Sequence, residues 1–155
     1  PNLIVRKISM FSVLTGVRYS DISKLIWSEL HHIENDGHYI IFRQKKTEGT
    51  ASIPISDEAF ELLGKRKGEN EKVFKDLNKW DVDRTLPVWV ALSGINKHIT
   101  FHCFRHTYAT LQLTAGTDIF TISKMLGHKS VKTTQIYAKV IDQKKRDAAS
   151  RISLE

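Results

Sequence analysis

The chain has 155 residues, of which 41% are hydrophobic and 26% are charged, and its formal net charge is +7. These values exclude bulk disorder and collagen-like repetition, and they are typical of one globular domain. The excess of positive charge favours a polyanionic partner such as a nucleic acid, because basic side chains release counterions from phosphates.

Cysteine usage and hydropathy indicate the cellular compartment in which the protein is expected to work. Cys103 is the only cysteine, so no intrachain disulfide can form, and a reducing cytosol is favoured. No apolar run approaches the ~20 residues that a membrane span needs. The chain opens at Pro1 without a methionine, so we expect a piece of a longer protein with a segment missing upstream.

The first half of the chain is predicted to hold two helices and a β-hairpin. A continuous apolar stretch over residues 3–14 predicts a buried helix. Apolar residues at helical spacing predict a second helix over residues 21–30, with Ser20 as its cap. Two short β-branched segments, 39–42 and 51–55, flank a basic stretch and predict an antiparallel hairpin with a basic tip.

The second half is predicted to be helical. Ser56 or Asp57 and Asp118 are candidate N-caps, and Gly116 and Gly127 are candidate helix ends. Helices are predicted over residues 57–63, 81–92, 101–115, 119–126, 130–140 and 142–152. With the hairpin, these elements predict an α+β fold that is mostly helical and has a small antiparallel sheet.

The last third carries residues suited to phosphodiester chemistry. His102 and Arg105 are three residues apart and share a helix face, and His128 follows a glycine that ends a helix. Arginine is suited to stabilise the transition state of phosphodiester cleavage, because its guanidinium is planar, permanently charged and bidentate. Imidazole can donate hydrogen bonds or shuttle a proton, and a hydroxyl such as that of Tyr137 can store the bond energy covalently.

Four ordered blocks of the sequence resemble motifs of the tyrosine recombinases. The blocks are Thr15-Gly16-Val17-Arg18, Lys46-Thr47 followed by Ile53-Pro54-Ile55, His102-Cys103-Phe104-Arg105, and Leu126-Gly127-His128 leading to Tyr137. They resemble the family's first arginine motif, its hairpin lysine, its His-x-x-Arg box and its Leu-Gly-His stretch before the nucleophile. Phe104 departs from the pattern, because family members often have leucine there.

The resemblance implies roles for the residues around the scissile phosphate. Arg18 and Arg105 would clamp its non-bridging oxygens, and His128 would donate a hydrogen bond to it. His102 would act on the tyrosine proton as a base or relay.

The resemblance also implies the covalent step and the DNA contacts. Tyr137 would become linked to the DNA 3′ phosphate, and Lys46 would protonate the departing 5′ oxygen. The neighbouring Lys45 remains the alternative for that lysine, because adjacent hairpin residues point to opposite sides. The basic residues predicted to contact DNA are Arg43, Lys45, Lys129 and Lys132.

Further expectations concern partners and assembly. The resemblance implies action on double-stranded DNA as a homotetramer, without a metal or nucleotide cofactor, in the cytoplasm with the nucleoid. Accessory DNA-bending proteins are possible additional partners. The polar tail after Tyr137 is predicted to dock onto a neighbouring protomer through Ile141 and Ile152. Residues 1–155 would form a single catalytic domain, without the family's N-terminal core-binding domain.

Other interpretations remain open at this stage. A type IB topoisomerase uses the same chemistry to relax supercoils, and a non-catalytic DNA-binding module or a ribonuclease would share the basic composition. A metal site at His98, His102 and His106 is disfavoured, because no carboxylate or second cysteine completes a ligand set. His106 is predicted to be structural, with a hydrogen bond behind the active site.

Overall fold

Helices dominate the described part of the chain, which comprises residues 2–43, 50–137, 142, 145–146 and 149–150 of a computed structural model. The α-helices are α1 (Leu3–Thr15), α2 (Tyr19–Ile22), α3 (Asp57–Glu61), α4 (Lys79–Leu92), α5 (His102–Ala115) and α6 (Ile119–Met125). The strands are β1 (Leu30–Ile33), β2 (Gly37–Arg43) and β3 (Thr50–Ile55). This confirms the predicted α+β class. None of the described helices is long and apolar enough to cross a membrane.

These elements fall into two units, residues 1–105 and residues 106–155. Helix α1 anchors the core of the first unit. The Asn2 side chain caps it by accepting hydrogen bonds from the Ile4 and Val5 amides, and Val5, Ile8 and Phe11 are fully buried along one face. The helix predicted over residues 3–14 is therefore confirmed.

The sheet of the first unit has three antiparallel strands in the order β1-β2-β3, whereas the sequence predicted only the β2–β3 hairpin. Pro54 lies in the edge strand β3, the place in a sheet where a residue without an amide donor is tolerated. The basic stretch between β2 and β3, residues 44–49, lies outside the described residues.

The helix predicted over residues 21–30 is wrong. Helix α2 ends at Ile22, and Arg18 rather than Ser20 occupies its N-cap position. Farther along, the backbone pairs with a distant segment: the Val73 amide donates to the Leu25 carbonyl at 2.9 Å. Ile22 and Leu25 are buried as expected, but only Ile22 lies in a helix. Leu25 and Ile26 pair through their backbone with a distant segment instead.

The second unit is built on the rest of α5, on α6 and on a 3-10 helix, Val131–Tyr137, called here the terminal 3-10 helix. Its core consists of Tyr108, Ala109, Leu113, Ile122, Leu126 and Tyr137. The helix predicted over residues 130–140 is thus a 3-10 helix in its described part. Most of the helix predicted over residues 142–152 lies outside the described residues.

Helix α6 ends in a Schellman turn that brings the chain to His128. The Gly127 amide donates to the Lys124 carbonyl at 2.9 Å, and the His128 amide donates to the Ser123 carbonyl at 3.0 Å. Gly127 has a φ of 61°, a left-handed conformation that costs residues with a Cβ atom free energy. The glycine before His128 therefore sets where the chain leaves the helix.

We expect Gly127→Ala to lower the free energy of unfolding by about 1–2 kcal/mol, because alanine resists a positive φ. Steric conflict adds nothing, since a Cβ at this position meets no atom within 4 Å. Urea unfolding followed by circular dichroism measures the change. Gly127→Asn is the matched control, and its free energy of unfolding should fall by less, because asparagine tolerates this conformation. Equal losses in both variants would contradict the conformational explanation.

The N-cap of α6 should make stability depend on pH. The Asp118 carboxylate accepts hydrogen bonds from the Thr121 hydroxyl and from the Phe120 and Thr121 amides. These bonds, led by the Thr121 hydroxyl, lower the pKa of Asp118 from its usual 3.8. The stabilisation is therefore complete above the usual pKa and is lost as the pH falls through the lowered one.

We expect Asp118→Ala to lower the urea midpoint by a constant amount between about pH 7 and pH 5, and by less as the pH falls below about 4. Asp118→Asn keeps an acceptor oxygen, so its urea midpoint at neutral pH should fall by less than that of Asp118→Ala. A penalty for Asp118→Ala that stays constant down to the acid-unfolding region would exclude this linkage.

Candidate active site

A buried hydrogen-bond network shapes the turn between α1 and α2. The Thr15 hydroxyl donates to the Phe11 carbonyl at 2.7 Å and accepts from the Val17 amide at 3.3 Å. The Ser12 hydroxyl donates to the Val17 carbonyl at 3.0 Å. Because Ser12 and Thr15 are buried, these bonds replace water and fix the backbone that leads into Arg18.

The same turn holds the side chain of Arg105. Its Nη1 donates to the Gly16 carbonyl at 2.6 Å, and only 4% of the residue is exposed. A buried guanidinium needs such a partner, because an unpaired charge away from water is strongly destabilising. Gly16 caps α1 with a φ of 70°, so the backbone conformation that ends the helix also fixes the carbonyl to which Arg105 binds.

Arg18, His102 and Arg105 line one small cavity of about 50 Å³ in the first unit. Its other lining residues are Ser12, Val17, Tyr19 and Phe101. Arg18 and His102 are exposed, while Arg105 is buried. Two guanidinium groups and an imidazole around one concave space form an anion-binding arrangement. The structure thus brings together three of the residues that the sequence predicted.

Tyr19 is a cavity residue that the sequence did not single out. Its ring packs edge-on against Phe101, with centroids 5.4 Å apart. Burial raises the pKa of Tyr19, Lys79 opposes that rise, and Asp83 adds to it. A tyrosine hydroxyl is protonated at neutral pH even without this rise, so Tyr19 can donate a hydrogen bond there.

His128 is oriented by the terminal 3-10 helix in the second unit. Its Nδ1 lies 2.8 Å from the Thr134 hydroxyl oxygen, and Thr134 is fully buried. A ring nitrogen bonded to a fixed hydroxyl leaves the imidazole one preferred orientation. The Schellman turn therefore fixes the backbone of His128, and Thr134 orients its imidazole.

Tyr137 lies at the end of the terminal 3-10 helix with its ring in the core of the second unit. Only 8% of the residue is exposed. Its hydroxyl oxygen lies 2.7 Å from Nδ1 of His106, and the two ring centroids are 5.7 Å apart. The sequence predicted a hydrogen-bonded, structural role for His106. The partner in the structure is the hydroxyl of the predicted nucleophile, 31 residues away, and no local sequence signal pointed to it.

The remaining predicted residues are placed only in part. Lys45 and Lys46 lie outside the described residues, and of Arg43 only the backbone, at the end of β2, is described. Lys129 and Lys132 are exposed in the second unit. Among the residues that the structure describes, no group of three or more His, Cys, Asp or Glu side chains could hold a metal ion.

Comparison with protein families gives a match over most of the chain. The model of the phage integrase family matches residues 3–144. A tyrosine recombinase of Agathobacter rectalis is 36% identical over 145 residues, which are 86% of this chain and 46% of the relative. The tyrosine recombinase XerA of Pyrococcus horikoshii is 31% identical and covers 90% of this chain and 51% of its own length. The chain therefore spans about half the length of the curated relatives it matches.

Solved structures share this fold. The catalytic domain of bacteriophage HP1 integrase superposes with a TM-score of 0.62 at 28% identity, covering 89% of this chain and 73% of that one. The XerA recombinase superposes with a TM-score of 0.70 at 23% identity, covering 100% of this chain and 65% of that one. The sequence blocks, the fold and the matched family model agree, and the chain belongs to the phage integrase family of tyrosine recombinases.

Proposed function

We propose that this protein cleaves and rejoins double-stranded DNA at specific sites through a 3′-phosphotyrosine intermediate on Tyr137. The observation that carries the proposal is the cavity lined by Arg18, His102 and Arg105, in a chain that belongs to the phage integrase family. A phosphodiester under attack gains negative charge on its non-bridging oxygens. Two guanidinium groups and an imidazole are suited to stabilise that charge.

The proposed reaction has two steps that balance without an external energy source. The Tyr137 hydroxyl loses its proton and attacks phosphorus, forming an oxygen–phosphorus bond while the bond to the 5′ oxygen breaks. A lysine, Lys46 by resemblance, gives the departing 5′ oxygen its proton. A 5′ hydroxyl from a second strand then attacks and gives its proton to the neutral lysine, the phosphotyrosine bond breaks, and the tyrosine recovers its proton.

DNA binding and assembly form part of the same proposal. The net charge of +7 and the exposed Lys129 and Lys132 near His128 in the chain support contact with the DNA backbone, which positions a protein without reading sequence. We further propose that strand exchange takes place in a homotetramer on two duplexes. In it the tail would dock onto a neighbouring protomer through Ile141 and Ile152, two residues that lie outside the described part of the chain.

The covalent step can be tested with DNA of randomised sequence. The protein is mixed with a pool of nicked duplexes, so that a cleaved strand loses its rejoining end and remains attached. Complexes that survive detergent are captured, their DNA is sequenced, and the linked residue is identified by mass spectrometry. We expect a nucleotide on Tyr137 and one preferred DNA sequence.

Two phenylalanine variants provide the controls for this experiment. Tyr137→Phe should abolish the adduct, because it removes the attacking oxygen. Tyr108→Phe removes another buried hydroxyl of the same core, which contacts Met125, and should leave the adduct intact. A Tyr137→Phe protein that still forms it, or a wild-type protein that forms none, would overturn the proposal. Adducts at unrelated sequences would favour the topoisomerase-like alternative.

Arg105→Lys tests the proposed clamp. Lysine keeps the charge but loses the planar fork that can bind Gly16 and a phosphate oxygen together. We expect single-turnover cleavage to fall by about 10²- to 10³-fold, as for the loss of one preorganised donor, while DNA affinity changes little.

Arg66→Lys is the matched control for that variant, since Arg66 also donates to a backbone carbonyl, that of Leu30 at 3.2 Å. It should cleave at the wild-type rate. Thermal melting of both variants shows whether any loss reflects unfolding. Wild-type cleavage by folded Arg105→Lys would exclude the clamp.

A further inference from the structure

We infer that His106 is a second active-site histidine that holds the Tyr137 hydroxyl through Nδ1 and takes its proton when the oxygen attacks phosphorus. The inference rests on the proposed function and adds to it the group that activates the nucleophile. The resemblance gave the tyrosine proton to His102. The contact that the structure describes at the Tyr137 hydroxyl assigns it to the histidine four residues farther along α5.

The geometry fits a proton acceptor. The Tyr137 oxygen and Nδ1 of His106 are 2.7 Å apart, inside the range of about 2.6–3.2 Å that proton transfer to a general base requires. With its own proton on the other ring nitrogen, a neutral imidazole presents Nδ1 as an acceptor. The phenol then donates to the nitrogen that can remove its proton.

Both partners are held in place by their own elements. The Tyr137 ring is buried in the core of the second unit, which leaves its hydroxyl little freedom. His106 lies in the second turn of α5, where its carbonyl accepts a hydrogen bond from the Thr110 hydroxyl at 3.0 Å. A short hydrogen bond between two restrained rings is a preorganised contact, and preorganisation gives a catalytic pair its advantage.

The proton balance of the step is simple. The O–H bond of Tyr137 breaks and its proton moves to Nδ1, so His106 becomes a cation as the phosphotyrosine forms. When a 5′ hydroxyl breaks that phosphotyrosine, the imidazolium returns the proton to the tyrosine oxygen. A purely structural histidine would hold the hydroxyl but take part in neither transfer.

Three variants of His106 separate its hydrogen bond to the Tyr137 hydroxyl from its role in proton transfer. His106→Ala removes both, and we expect single-turnover cleavage of the selected nicked duplex to fall by about 10²- to 10⁴-fold, the usual contribution of general-base catalysis. His106→Asn places an amide near the position of Nδ1, so it should hold the hydroxyl and recover part of the rate. His106→Gln, whose amide reaches toward the other ring nitrogen, should recover less.

Added imidazole provides the readout that a structural role would not give. It should restore cleavage to His106→Ala by occupying the vacated space and accepting the proton. Added imidazole should not restore cleavage to Tyr137→Phe, which lacks the attacking oxygen. His98→Ala, at an exposed histidine outside the site, is the matched control and should cleave at the wild-type rate. DNA affinity and melting temperature of every variant identify any loss due to binding or folding.

A second measurement follows the contact without DNA. Nitrogen-15 spectra of the His106 ring in the whole protein should show a shift of Nδ1 in Tyr137→Phe and none in Tyr108→Phe. An unshifted Nδ1 in Tyr137→Phe would overturn the inference, because the contact would then be absent in solution.

The outcomes of the cleavage assay distinguish this inference from the proposed function. A wild-type protein without an adduct on Tyr137 would overturn both. A normal wild-type adduct with an unimpaired His106→Ala variant would overturn the role of His106 alone. Slow cleavage by folded His106→Ala that imidazole does not improve would reduce His106 to a structural residue, and a full rescue by His106→Asn would do the same, because an amide can hold the hydroxyl but cannot take its proton. Rescue by imidazole, with only partial recovery in His106→Asn, would establish His106 as the proton acceptor.

Discussion

The hydrogen bond between the buried Arg105 guanidinium and the Gly16 carbonyl is the constraint on which the first unit depends. A buried cation must be paired, so the chain has to present an oxygen at that point. Gly16 does so because it ends α1 in a left-handed conformation, and Ser12 and Thr15 fix the turn that follows. Two motifs that lie 89 residues apart are therefore one structural unit, since a backbone atom of one is the hydrogen-bond acceptor of the other.

The second unit has a similar arrangement of a helix end and a buried hydrogen bond, built from different residues. A glycine of positive φ again ends a helix, and a predicted site residue, His128, again follows it. Its orientation comes from Thr134, a fully buried hydroxyl in the next element. In both units a helix end supplies the turn: buried hydroxyls fix the backbone after α1, and the buried Thr134 hydroxyl contacts the imidazole that follows α6. Such sites tolerate little change, because the backbone and its hydrogen bonds determine them together.

How far the sequence could predict this arrangement depends on the range of each interaction. The end of α1, the Asp118 cap and the turn at Gly127 were predictable, since each follows from residues only a few positions apart. Leu25 shows the opposite case: its carbonyl binds the Val73 amide, and no pattern near Leu25 indicates an extended chain there. Strand β1 was missed for the same reason. Six candidate site residues could be named from ordered motifs, and their roles stay predictions, but the partner of His106 lies far along the chain and its contact required coordinates.

The choice of partner for a buried tyrosine hydroxyl has chemical consequences. Such a hydroxyl needs a hydrogen bond once its ring is buried, and a backbone carbonyl is the ordinary solution. A carbonyl oxygen is a very weak base, so it can orient a phenol but not deprotonate it. The imidazole of His106 meets the same structural need at 2.7 Å, and an imidazole nitrogen is a far stronger base than a carbonyl oxygen. The burial that restrains Tyr137 thus calls for a partner, and a histidine in that position would allow the restrained oxygen to act as the nucleophile that we propose.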